Sequence, residues 1–120
     1  MAAGARRLPK QHRLCGPAAY RKVFSGRIRS TDSQFLVLAT ENQLAHPRLG
    51  LAVSRKKLKT AVSRNLVKRL IRESFRHHSE SLGSLDLVVM PQGGIAAGDR
   101  RRLRESLENH FRKVSKCRSS

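Results

Sequence analysis

Arg64-Asn65-Leu66-Val67-Lys68-Arg69-Leu70-Ile71-Arg72-Glu73-Ser74-Phe75-Arg76 is the stretch whose periodicity decides the fold. At about 100° of rotation per residue, Leu66, Val67, Leu70, Ile71 and Ser74 fall on one side of a helix. Asn65, Lys68, Arg69, Arg72 and Arg76 fall on the other, with Arg64 at the border. The helical pattern runs from about Ala61 to His78. Its apolar side calls for a second layer to pack on, while its other side presents cations and an amide.

The neighbouring segments supply that layer. Phe35–Thr40 (FLVLAT), Leu49–Ser54 (LGLAVS) and Leu85–Met90 (LDLVVM) are short apolar runs that read as strands. Asn42–Pro47 lies between the first two as a turn, so a hairpin is expected there. Pro91 and Gly93-Gly94 close the third. A first helix, PAAYRKVF, starts at Pro17, where a missing N–H costs nothing, and stops near Ser25-Gly26. A last helix begins near Asp99, a good N-cap, and carries Leu103, Leu107, Phe111 and Val114 on one stripe. The order is αββαβα, with room for a further short strand around Arg27–Ser30. This is an α+β sandwich of helices on a small sheet.

The chain has 120 residues, enough for one domain with a modest core. Lys and Arg total 26 against 8 Asp and Glu, a formal net charge of +18. That excess attracts polyanions: RNA, DNA or an anionic membrane. No apolar run approaches the roughly 20 residues of a spanning helix. The stretch MAAGARRLPKQHRL has basic residues but no apolar signal region, so a cytoplasmic location is expected. The charge is uneven: residues 1–31 hold eight Lys/Arg and no acid, and residues 55–76 hold nine with one acid, Glu73.

A solvated helix face usually alternates charge signs, and like charges one turn apart repel. The face bearing Lys68, Arg69, Arg72 and Arg76 does neither useful thing for an isolated helix. Guanidinium forks fit pairs of phosphate oxygens, lysine adds a mobile charge, and asparagine bridges phosphate, sugar or base edge. Arg55, Lys56, Lys57 and Lys59 extend the array. The spacing alone leaves RNA and DNA open. A DNA-reading helix-turn-helix would need a second short helix just upstream, where the strand-like LGLAVS stands instead. Tyr20 and Phe24, i and i+4 on the first helix, flank Arg21 and Lys22. Such rings suit stacking of single-stranded bases; packing in the core is the competing use.

No protein catalytic site emerges. The acids are scattered, and no histidine is placed by the sequence beside a nucleophile or partner. His77–His78 lacks the i, i+4 spacing of a metal pair. Cys15 and Cys117 form no ligand motif and read as reduced, incidental thiols. Glu73 reads as structural, pairing with a basic neighbour.

The motif RNxxKRxxRE, standing as Arg64 to Glu73, resembles the signature helix of the bacterial ribonuclease P protein family. HPRLGLAVSRK (His46–Lys56) is similar to the family's strand and the basic turn after it, and LDLVVM and the basic terminal helix sit where the family has them. The resemblance implies a single domain over residues 1–120; the ends, about 1–10 and 115–120, read from the sequence itself as basic and flexible. Its fold would be an αβββαβα sandwich with a small mixed sheet and a left-handed βαβ crossover, as in the second domain of ribosomal protein S5. That crossover departs from the usual handedness. By the same resemblance, Arg55, Lys56, Arg64, Asn65, Lys68, Arg69 and Arg72 would contact a catalytic RNA subunit. Arg13, Tyr20, Lys22 and Phe24 would contact the 5′ leader of precursor tRNA. Some family members carry an aromatic in the cleft strand where this chain has Leu38, which leaves the roles of Leu38 and Phe35 open. Neither catalytic residues nor metal ligands are expected in the protein. Magnesium would be held mainly by the RNA, and removal of the leader would leave a mature 5′ end. The competing assignment is a ribosomal or RNA-chaperone protein with no part in cleavage.

Overall fold

The structure, a computed structural model, describes residues 8–117. After a 3-10 turn at Lys10–His12, the elements run α1 (Pro17–Phe24), β1 (Ile28–Thr31), β2 (Phe35–Glu41), β3 (Arg48–Leu51), α2 (Ala61–Leu82), β4 (Leu85–Pro91) and α3 (Arg100–Cys117). The order from α1 onward is αβββαβα, and the short strand near Arg27–Ser30 is β1.

Local chemistry sets the helix ends. Pro17 opens α1 behind Gly16, whose φ of 88° is a left-handed value that suits glycine. The Thr60 hydroxyl accepts the Ser63 N–H at 3.1 Å to start α2, and Gly83 ends it at φ 58°. That helix continues a turn past the expected His78. The Asp99 carboxylate accepts the Arg102 N–H at 3.1 Å at the start of α3, as the sequence implied.

The sheet order is β1-β2-β4-β3. β1 pairs antiparallel with β2, β2 antiparallel with β4, and β3 parallel with β4. The expected hairpin between the second and third of these strands is therefore wrong: β4 lies between them. The reason is burial. Leu85, Leu87 and Val89 of β4 face one layer and Asp86 and Val88 the other, all buried. A strand covered on both faces belongs inside the sheet. The 42–47 connection instead spans the end of β4. Asn42 donates its side-chain N–H to the His46 carbonyl and to Asp86, and its backbone N–H to the Ser84 carbonyl. Asp86 also grips Arg48 in a two-pronged ion pair at 2.8 and 2.6 Å, joining β3 to β4. Hydrogen bonding to Asp86 raises the Arg48 pKa further, despite some opposing burial.

One face of the sheet carries the main core. Phe35, Val37, Ala39, Leu87 and Val89 meet Val67, Leu70, Ile71 and Phe75 of α2 and Leu103, Leu107 and Phe111 of α3. The other face is covered only by α1 and the preceding chain, through Leu14, Val23, Leu38 and Val88. Phe35 is thus a core residue on the α2/α3 side, and Leu38 packs under α1. The ends expected to be flexible divide. Residues 1–7 and 118–120 lie outside the described residues. Leu8 is buried, and Ser115–Cys117 belong to α3. The turn after Leu8 is stapled to the 42–47 loop: His46 Nε2 lies 2.9 Å from the Gln11 carbonyl and His12 Nδ1 3.2 Å from that of Pro47.

A polar clamp ties the β1–β2 hairpin to α3. Asp32 accepts the backbone N–H groups of Gln34 and Phe35 at 2.8 and 2.9 Å and the Ser106 hydroxyl at 2.6 Å. Partial burial pushes the Asp32 carboxyl up, but Ser106, those two N–H groups and His110 outweigh it and hold it at about 2, below the ordinary 3.8. A carboxyl held low stabilises the fold above its unfolded pKa and loses that effect as pH falls through the folded value. Asp32→Asn is expected to lower the urea midpoint at neutral pH. The gap to the parent protein should close as pH drops from about 4 to about 2; a gap that stays constant over that range would assign the clamp to shape rather than charge.

Candidate nucleic-acid interface

The face of α2 turned from the core matches the sequence pattern. Val67, Leu70, Ile71 and Phe75 are buried and Leu66 half-buried, whereas Asn65 and Arg69 are exposed and Lys68 and Arg72 half-exposed. Phe75 completes the apolar side. Arg76, placed on the cationic side by periodicity, is half-buried with its Nε enclosed.

Asn65, Lys68 and Arg72 form one wall of a groove of about 650 Å³. Arg13, Leu14 and Tyr20 form the other, and Leu49 and Leu51 of β3 line it between them. The two sets of residues expected to serve different RNAs therefore meet in one trough. No acidic side chain lines it. Arg13 gets there because its segment adds to the β3 edge: Arg13 bridges Leu49, and the Leu14 N–H donates to the Leu49 carbonyl at 2.9 Å.

Tyr20 reaches the groove over Gly50. A Cβ at Gly50 would lie 2.9 Å from two ring carbons and the hydroxyl oxygen of Tyr20, closer than packed atoms tolerate. Glycine is required here for contact, a signal that strand composition does not carry. Phe24 sits one turn on, 48% exposed, its ring centre 6.5 Å from that of Tyr20. The pair is thus divided: Tyr20 packs partly against the smaller core, and Phe24 offers an open face. Lys22 is exposed on α1 but does not line the groove.

Arg55 and Lys56 are exposed on the turn after β3, which Leu58 anchors by its burial. Arg64 departs from a freely presented cation. Its Nη1 donates to the carbonyls of Leu58 and Lys59 at 2.9 and 3.1 Å, holding that basic turn against the helix. Arg69 is exposed beyond the groove wall. Glu73 pairs with no basic neighbour among the described residues; it lines a smaller hollow between α2 and α3 with His77, His78 and Arg104.

The expectation that no histidine sits beside a nucleophile or partner needs correction. His110 Nδ1 is 2.6 Å from the Ser30 hydroxyl, and its Nε2 is 3.1 Å from Asp32, off the line of a hydrogen bond. The three residues come from β1, the following turn and α3, so no motif announced them. Only 2% of His110 is exposed. A ring so enclosed cannot take a proton from a bound substrate, and the array reads as the clamp's inner half. Among the described residues, no three His, Cys, Asp or Glu side chains converge as a metal-ligand group. None of the described helices is long and apolar enough to cross a membrane. A helix-turn-helix is excluded, since β3 and the basic turn occupy the place of its first helix.

This fold and groove define a small, strongly basic α+β domain whose working surface suits a polyanion. The model of the Ribonuclease P family matches residues 8–115. The chain is 48% identical over 103 residues to the ribonuclease P protein component of Methylococcus capsulatus, covering 86% of this chain and 80% of that one. It is 43% identical over 105 residues to that of Yersinia pestis, covering 88% of each. The solved RNase P protein of Staphylococcus aureus superposes with a TM-score of 0.75 at 29% identity, over 84% of this chain and 93% of that one. The one from Thermotoga maritima does so at 0.73 and 29%, over 85% and 96%. The chain belongs to the ribonuclease P protein family: it is a protein component of that tRNA-processing endoribonuclease complex.

The Gly50 contact is open to a direct test. Tyr20 is the only tyrosine and the chain has no tryptophan, so intrinsic emission reports on this ring alone. Gly50→Ala is expected to push the ring off β3 and raise its quenching by acrylamide severalfold. Unchanged quenching would show that the ring does not rest on that glycine.

Proposed function

We propose that this chain grips the catalytic RNA subunit of ribonuclease P with the outer face of α2 and the basic turn before it, and holds the 5′ leader of precursor tRNA in the adjoining groove. The observation that carries this is the meeting of Arg13 and Tyr20 with Asn65, Lys68 and Arg72 across one acid-free trough. Leader sequences vary, and the chemistry suits that. Cations contact phosphates without reading sequence, and any base stacks on an aromatic ring for roughly 1–3 kcal/mol. Tyr20 and Phe24 supply the rings, Arg13 and Lys22 the charge beside them. Arg55, Lys56, Arg64, Asn65, Lys68, Arg69 and Arg72 supply the contacts to the catalytic RNA.

The chemical step belongs, on this reading, to the RNA. The groove presents neither a carboxylate nor an exposed histidine. Magnesium, held mainly by RNA phosphates, would activate water and stabilise the leaving oxygen. The protein's own residues bind the leader, orient it and screen repulsion between the two RNAs. The complex would work in the cytoplasm, where precursor tRNA is made.

Reconstitution with a ribonuclease P RNA at low magnesium, scored for leader removal, tests the whole reading. Tyr20→Ala with Phe24→Ala is expected to weaken precursor tRNA binding about tenfold or more, leaving mature tRNA binding unchanged. Equal losses for both substrates would mean that the rings serve the fold. Lys68→Ala with Arg72→Ala is expected to weaken assembly with the catalytic RNA and to lower the salt slope by about one for each phosphate that is no longer neutralised. An unchanged affinity and slope would remove α2 from the RNA-binding surface.

A further inference from the structure

The basic groove lies at the β3 edge of the sheet, yet a second cationic surface stands at the opposite edge. β1 is the outer strand there, and among the described residues no other strand pairs with its free side. Two adjoining hollows of about 660 and 350 Å³ run along it and share Ile28, Arg29 and Cys117. Arg29 lines them from the strand, Arg27 from the bend just before it, and Lys113 and Lys116 from α3. Among the described residues none of these four cations is in an ion pair. Glu41, at one end, is the acid that lines the furrow.

We propose that this β1 edge is a second phosphate-backbone seat, occupied by the catalytic RNA when the leader and the α2 contact hold the other edge. The inference rests on the proposed RNA-binding function. Edge strands are commonly guarded by charge, but guarding needs only a side chain on the strand itself. Here lysines from a separate helix line the furrow from the other layer. Arg29, Lys113 and Lys116 around one hollow, with Arg27 in the next, repel one another, and an incoming row of phosphates relieves that. An edge strand also leaves backbone N–H groups unpaired, which are ready donors to phosphate oxygens. The two edges of a four-stranded sheet lie about 14 Å apart. A leader strand seated beside Tyr20 occupies one of them. A folded RNA can present phosphates to both, and so the ribozyme rather than the leader is the occupant.

The chain carries its own reporters. Cys15 follows Leu14 at the groove wall, Cys117 lines the furrow, and both thiols are exposed. Alkylation rates would be followed in Cys15→Ser and Cys117→Ser proteins, so that each signal has one source. The probes are a ribonuclease P RNA alone and precursor tRNA alone. With the ribonuclease P RNA at ten times its Kd, a covered thiol should react about tenfold more slowly. Slowing of Cys117 by the ribonuclease P RNA, and of Cys15 by precursor tRNA, is the expected result. Lys113→Gln with Lys116→Gln, both exposed positions, should restore Cys117 reactivity, leave Cys15 protected and lower the salt slope. Adding Arg27→Gln and Arg29→Gln should lower the slope further, with circular dichroism confirming the fold. Protection of Cys15 alone, or Cys117 protection that survives these substitutions, overturns the second seat and leaves the proposed function standing. Protection of neither thiol by either RNA overturns both. Equal protection of Cys117 by precursor tRNA alone overturns the choice of the ribozyme as occupant.

Discussion

The burial of Val67, Leu70, Ile71 and Phe75 against the sheet fixes the direction in which every cation of α2 points. Magnitudes explain why this constraint prevails. Burying each such side chain is worth roughly 1.5–3 kcal/mol, whereas like charges one turn apart cost a few tenths of a kcal/mol per pair. The helix can therefore carry Lys68, Arg69 and Arg72 close together and still form. In a free peptide the same residues would oppose helix formation. The sheet supplies the rigidity that turns a run of charges into an array.

The second consequence concerns the other face of the sheet. Eight residues of α1 are too short to cover four strands. They cover the middle, through Val23 on Leu38 and Val88, and leave the β3 side open. Tyr20 leans into that opening because Gly50 removes the side chain that would block it. The groove thus arises from an incomplete layer rather than from a fold between domains. Its floor is set by the same strands that hold the core beneath.

Features carried by neighbouring residues were legible before any coordinates. The two-sided period of α2, the proline at the start of α1 and the Asp99 cap each depend on contacts within a few residues. Strand order was not legible, because nothing in FLVLAT or LGLAVS states which partner lies beside it. The hairpin reading failed there: proximity in sequence favoured β2 with β3, and the double-sided burial of β4 overruled it. Phe35 and Leu38 could not be assigned to faces without the register, since odd and even positions of one strand reach opposite layers. The Asp32, Ser106 and His110 clamp joins residues 74 or more positions apart along most of the chain. Gly50 looked like an ordinary strand glycine. In each case the missing information was a contact between distant segments.

The placement of the acids matters as much as the number of cations. Asp86 is buried against Arg48. Asp32 is occupied by the clamp, and Glu105 and Glu108 pair with Arg101 and Arg112 on α3. None of them lines the groove. Lys68 makes no ion pair among the described residues, so a phosphate arriving there breaks no ion pair of the protein's own. Arg101, by contrast, would first have to leave Glu105. Exposed pairs of that kind are weak, at about 0–1 kcal/mol, but each one subtracts from what a ligand gains. Keeping anions out of the groove therefore preorganises it for phosphate, at the cost of self-repulsion that the buried side of α2 absorbs.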